Sequence, residues 1–191
     1  MSFLKSLKKH SGWMALAAVS LTVSSLAFAA LKFDSKASNV VITFKQMNVP
    51  VSAKFTKFNA AIDYNPAAPE AAKASVEIDI TSFDLGDPEY NKEVTKKEWF
   101  NAAQFPKANF VSSSIKPAAN GTLTATGKLT IKGKTTDVSF PVSIKKEGNN
   151  QVFDGSLPIK RLTFNIGEGD WKDTSMVADD VMIKFHVVAA P

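Results

Sequence analysis

The sequence predicts an all-β domain of about eight antiparallel strands with a short helical insertion, and three observations carry that expectation. From residue 30 onward apolar and polar residues alternate with a period of two, the mark of half-buried strands. A single stretch, Pro88–Ala103, breaks that period with helix-start signals. The small residues Ala53, Ala125, Gly127 and Gly155 fall on the apolar side of their strands among bulky neighbours, where a core built only for stability would be filled.

Residues 1–29 precede this domain and have the features of a secretory signal peptide. Lys5, Lys8 and Lys9 lead into an uncharged run from Ser11 to Leu26, and Ala27-Phe28-Ala29 supplies the small-x-small pattern for cleavage after Ala29. The run is short for a membrane span and is diluted by Ser and Thr. The domain expected after cleavage is 30–191, and the location expected is the periplasm. Taking those three lysines from the 23 Lys+Arg leaves 20 against 18 Asp+Glu, a net charge of +2, so no basic face for nucleic acid is implied. The chain has no cysteine, so the exported domain must be held by its core alone.

In chain order, the first strand is marked by Val40, Ile42 and Phe44. Val49–Tyr64 is long for a strand and changes parity partway. Val51, Ala53 and Phe55 are odd, whereas Phe58, Ala60 and Ile62 are even. Either a β-bulge near Thr56-Lys57 or two strands meeting at a corner would produce this switch. Val76, Ile78 and Ile80 mark the next strand. Asp87-Pro88 is a capped helix start and Thr95-Lys96-Lys97-Glu98 has capping-box spacing, so two short helices are expected, with Tyr90, Val94, Trp99 and Phe100 inward. Leu123, Ala125, Gly127, Leu129 and Ile131 form one face of a strand that turns at Gly133-Lys134 into Val138, Phe140, Val142 and Ile144. Phe153/Leu157/Ile159, Leu162/Phe164/Ile166 and Val181/Ile183/Phe185/Val187 complete the set.

Such strands could stack as a sandwich or close as a barrel. The polar faces are rich in Thr, Lys and Asp with no aromatic girdle, so they meet water and the apolar faces meet each other. In a barrel, Ala125 and Gly127 would keep the lumen open for a ligand. The alternative is that some of the 16 aromatic side chains beyond residue 29 fill those gaps from across the barrel.

The ordered stretches Val51-Ser52-Ala53-Lys54-Phe55-Thr56-Lys57-Phe58, Ala74-Ser75-Val76-Glu77-Ile78-Asp79, Trp99-Phe100-Asn101-Ala102-Ala103-Gln104-Phe105-Pro106, Gly127-Lys128-Leu129-Thr130-Ile131-Lys132-Gly133 and Pro158-Ile159-Lys160-Arg161-Leu162-Thr163-Phe164-Asn165-Ile166-Gly167 resemble the YceI-like, lipocalin-like polyisoprenoid-binding proteins over about 31–188. The resemblance implies an eight-stranded antiparallel lipocalin-like β-barrel, periplasmic, holding a long isoprenoid in its lumen as ligand rather than cofactor. Association of some relatives with b-type cytochromes implies a membrane redox partner and makes an isoprenoid quinone as fitting as a polyprenyl phosphate. A homodimer stays open. Gln46 stands where relatives often carry histidine.

The expected lining is Val51, Phe55, Phe58 and Ile78 from the first half. Leu123, Ala125, Gly127, Leu129, Phe140 and Val142 follow from the central hairpin, and Phe153, Leu157, Phe164, Ile183 and Phe185 from the last strands. Arg161 interrupts the apolar series between Ile159 and Leu162, where a buried cation needs a partner. That partner is either a ligand head group, suited to a guanidinium, or a carboxylate among Asp179, Asp180 and Glu168. A tail of roughly forty carbons at about 0.3 kcal/mol per atom would supply on the order of 12 kcal/mol, so the tail sets affinity and the head selectivity. No enzyme is expected. The sole histidine beyond residue 29, His186, belongs to the outward set, and nucleophile elbows, phosphate loops and metal-ligand spacings are lacking.

Overall fold

The computed structural model describes residues 31–191. The signal peptide expected over 1–29 and its cleavage after Ala29 lie outside the described residues.

Eleven antiparallel strands and one short helix follow in chain order: β1 (Lys32–Phe33), β2 (Asn39–Gln46), β3 (Val49–Phe55), β4 (Phe58–Asp63), β5 (Lys73–Asp79), β6 (Phe83–Asp84), α1 (Pro88–Glu93), β7 (Lys107–Pro117), β8 (Leu123–Ile131), β9 (Lys134–Glu147), β10 (Asn150–Lys160) and β11 (Val177–Ala190). Nine of them are six residues or longer, against the eight expected. They form one curled sheet in the order β4-β5-β7-β8-β9-β10-β11-β2-β3-β6, with β1 on β11. The apolar faces of β8 and its neighbours point into the curl: Leu123, Ala125, Gly127, Leu129 and Ile131 are buried and their intervening residues are not.

The parity switch after Phe55 is a corner, not a bulge. Thr56 and Lys57 leave the ladder, and the opposite strand is interrupted by a 3₁₀ turn at Ile80–Ser82. The corner is stitched by the Thr56 N–H to the Ser82 carbonyl and the Asp79 N–H to the Lys57 carbonyl, both 3.0 Å. Before the corner β3 pairs with β2 and β6; after it β4 pairs with β5. One chain segment thus serves two sides of the barrel. Leu31 bridges to Ile62 on β4 while Lys32 and Phe33 pair with Ala190 and Ala189, which ties that edge to β11.

The bulge lies elsewhere, in β7, a strand the sequence does not announce. Ser112 faces Gly127 and Ser114 faces Thr126, leaving Ser113 as the extra residue. The inward set therefore changes from Ala108 and Phe110 to Ile115, and the serine-rich stretch shows no continuous alternation.

Three local expectations are corrected. The β8–β9 turn is Lys132-Gly133, with φ of 49° and 73°, a shape that matches the twist of a two-residue hairpin. Asp87 caps α1 as expected, accepting from the Glu89 and Tyr90 N–H groups, but Thr95 starts no second helix. Its hydroxyl donates to the Lys92 carbonyl, and the chain continues in turns to Phe105. Leu162/Phe164/Ile166 is no strand either. Arg161–Phe164 forms a 3₁₀ turn that ends at Asn165 in the left-handed conformation, φ 56°.

Candidate functional site

The curled sheet encloses two apolar chambers. The outer one, about 160 Å³, lies beneath α1 and the turns after it, with Phe55, Phe83, Phe100, Ile131 and Ile159 in its wall. The inner one, about 130 Å³, is lined by Ile62, Leu123, Ala125, Phe140, Phe153 and Leu157 among others. Six residues border both: Val40, Val76, Ile78, Phe110, Leu129 and Ile183. The two therefore adjoin along the barrel and share part of their walls, and together they make up its lumen.

Of the expected lining, Phe55 and Arg161 border the outer chamber. Leu123, Ala125, Phe140, Val142, Phe153, Leu157 and Phe185 border the inner one, and Ile78, Leu129 and Ile183 border both. Four expected residues do not line it. Val51 is half-buried on β3. Phe58 packs against Phe33, ring centroids 5.2 Å apart. Phe164 is fully buried in the core. Gly127 is inward but leaves no open space, because the Phe110 ring lies over it: a Cβ there would come 2.7 Å from that ring and 2.8 Å from the Ser112 Cα. Gly155 is likewise covered, by Phe185. Neighbouring aromatics thus fill both glycine gaps, whereas Ala125 borders free space.

Phe110 was the residue most worth finding. It borders both chambers and heads a string of edge-packed rings, 5.2 Å to Phe140 and then 5.7 Å from Phe140 to Phe185. The bulge in β7 hid it from a periodicity argument. Trp99 and Phe100 do face the outer chamber, as expected, and Val94 and Tyr90 border it too, although Tyr90 is half exposed at its edge.

Among the described residues Arg161 forms no ion pair. It is 2% exposed, and all five N–H donors go to backbone carbonyls: Nε to Ala178 at 3.1 Å, Nη1 to Ile166 at 2.8 Å and Gly167 at 3.3 Å, Nη2 to Trp171 at 2.6 Å and Val177 at 2.7 Å. The three carboxylates expected as partners are engaged elsewhere. Asp179 accepts the Leu162 N–H at 2.9 Å, Asp180 pairs with Lys160 at 2.6 Å, and Glu168 pairs with Lys132 at 2.9 Å. Arg161 therefore fastens the 161–178 loop from within. Burial depresses its pKa and nearby Asp179 opposes that; a guanidinium stays charged regardless. Its carbon Cζ sits 5.9 Å from the Trp99 ring centroid, and Trp99 packs on Trp171 at 5.2 Å.

Two electrostatic consequences follow. Arg161 is the only cation among the described residues that line the lumen, and its donors are spent. The Trp99 indole N–H is the one buried side-chain polar atom, among the described residues, without a hydrogen-bond partner. His186 stands outside the site, its Nδ1 2.7 Å from Asp154 on the neighbouring strand.

An antiparallel sheet curled around an apolar lumen, roofed by a short helix, defines the class of lipocalin-like barrels. The chain belongs to the YceI-like family, whose domain model matches residues 31–189. It is 28% identical to protein YceI of Salmonella newport over 169 residues, 84% of this chain and 88% of that one. The crystal structure of Burkholderia cenocepacia BcnA superposes with a TM-score of 0.81 at 51% identity, covering 83% of this chain and all of BcnA. A polyisoprenoid binding domain from Saccharophagus degradans shares the fold, with a TM-score of 0.64 at 16% identity over 85% of this chain and 99% of that domain.

Proposed function

We propose that the protein is a periplasmic binding protein that holds a long isoprenoid chain, and that it works as a carrier or reservoir rather than as an enzyme. The observation that carries this reading is the apolar lumen of two adjoining chambers. Unfilled core volume costs about 24 cal/mol per Å³, so a 160 Å³ chamber alone represents on the order of 4 kcal/mol. That is a large share of the roughly 5–15 kcal/mol by which a domain is stable. A ligand tail occupying both chambers recovers it. The isoprenoid reading is supported by family membership and by the polyisoprenoid binding domain that shares the fold; the periplasmic reading is supported by the signal-like residues 1–29.

The polar inventory bears on the head group. With Arg161 saturated and no other cation among the described lining residues, a diphosphate or phosphate drawn inside the lumen would lack a counter-charge. A neutral head carrying a hydrogen-bond acceptor, such as a quinone carbonyl, needs no counter-charge, and a small turn of the Trp99 ring would offer it the unpaired N–H. Native mass spectrometry of the protein purified from its own periplasm tests the proposal. A co-purifying isoprenoid mass, with a neutral head preferred over a phosphate in titration, is the expected result. No bound lipid together with no binding of either class would overturn it.

A further inference from the structure

Among the described residues, five large apolar side chains stay exposed, and four of them gather at one end of the barrel. They are Met47 and Val49, each 62% exposed, Tyr90 at 51% and Met176 at 43%. Their grouping follows from the backbone. Gln46 pairs with both Val49 and Val177, and the Met47 N–H donates to the Met176 carbonyl at 2.9 Å. Gln46, Val177 and Tyr90 themselves line the outer chamber. The wall of the lumen thus runs outward, past the single amide of Gln46, into an exposed apolar rim.

We infer that this rim, built on Met47, Val49, Met176 and Tyr90, is a membrane-docking surface that seats the lumen mouth in the apolar layer of a lipid bilayer. The inference rests on the isoprenoid reading, because a ligand of that kind is dissolved in a bilayer and its tail would otherwise cross water. Continuity of rim and lumen removes that crossing. Four partly exposed side chains amount to roughly a few hundred Å², about half of the ~800 Å² per partner typical of a stable protein interface, which argues against a protein occupant. Charge does not drive the contact. By sequence position Lys45, Lys92 and Lys172 flank the rim against Asp87, Glu89 and Asp173, and Glu93 is paired with Lys96. Docking is therefore insensitive to salt and needs no anionic lipid.

The test uses the full mature chain and vesicles of zwitterionic phosphatidylcholine loaded with a long-chain isoprenoid quinone. The variant Met47→Ser/Val49→Thr/Met176→Ser leaves Tyr90, a lining residue, intact. Expected are flotation of the parent with vesicles at low and high salt and at least a fivefold loss of flotation for the variant. Quinone transfer between vesicles should slow about tenfold, while affinity for detergent-solubilised quinone and the urea midpoint stay unchanged. A parent that does not float, or a variant that floats and transfers equally well, overturns the inference. So does a parent dimer that the variant converts to monomer in light scattering, which would assign the rim to a second copy of this chain. Failure of both proteins to bind solubilised quinone strikes the isoprenoid reading instead, and flotation still reports on the rim.

Discussion

Gly127 on β8 lies directly beneath the ring of Phe110 on β7, so close that a Cβ at 127 would collide with the ring and with the Val111 carbonyl oxygen. Gly127→Leu is therefore expected to cost at least about 1–3 kcal/mol as overpacking, not to plug a pore. A urea midpoint left unchanged would mean that β7 can move aside.

Ala125, two residues away, has the opposite surroundings, because it borders the inner chamber. Ala125→Phe is expected to shorten the lumen. Affinity for a long isoprenoid should fall at least about tenfold, or 1.4 kcal/mol, while a chain short enough to stay in the outer chamber binds as before. Equal losses for both lengths would show that the tail does not reach Ala125.

Arg161→Met strands five backbone carbonyls that now share one guanidinium. A destabilisation of at least about 3 kcal/mol is expected from those unsatisfied groups, with ligand affinity of the folded fraction retained. Chemical denaturation and titration on the same variant separate the two effects. Lost affinity without lost stability would return Arg161 to the ligand.

Trp99→Phe removes the unpaired N–H together with part of the indole surface that packs on Trp171. Affinity for a quinone-headed isoprenoid should drop about three- to tenfold, the worth of one hydrogen bond. A matched hydrocarbon chain without a head reports the packing loss alone, and the quinone-headed ligand should lose more by that factor. Calorimetric titration with the pair of ligands gives the answer.

The Asp84 carboxyl sits below its ordinary value of 3.8, held there first by the Gly86 N–H at 2.9 Å, then by the Asn91 amide at 3.2 Å and Lys54 at 3.4 Å. A lowered folded value means that this contribution is fully present above the usual aspartate range and fades as pH falls through the folded value. Acidification should therefore loosen the segment from Asp84 to α1, seen as a shift of the Gly86 amide NMR signal. Asp84→Asn should abolish that transition.

How much of this was legible in the sequence differs from element to element. The β8–β9 hairpin alternates without interruption because one face is dry and the other wet, so its inward face could be read directly, while its turn falls one residue earlier than expected. β7 could not, since the extra Ser113 shifts its parity and serines occupy both faces. Residues 161–164 carry a strand-like apolar spacing, yet the carbonyl cage around Arg161 demands a tight turn, and such a demand depends on residues up to 178. The lumen was visible as small residues, but only Ala125 opens onto it. Whether a neighbouring strand lays a ring over Gly127 or Gly155 is a tertiary fact with no local signature.

The seam formed by Leu31–Phe33 has a consequence for the order in which the molecule can assemble. β1 opens the described chain and β11 closes it, and the pairs Lys32–Ala190 and Phe33–Ala189 span nearly the whole domain in sequence. Closing a loop of that length is slow compared with forming the hairpins between β7 and β10. The leading strand must wait for β11 to reach it, so this seam of the barrel closes only once β11 is in place. Until then the lumen stands open along its side as a trough, and an early ligand could enter laterally rather than through the rim.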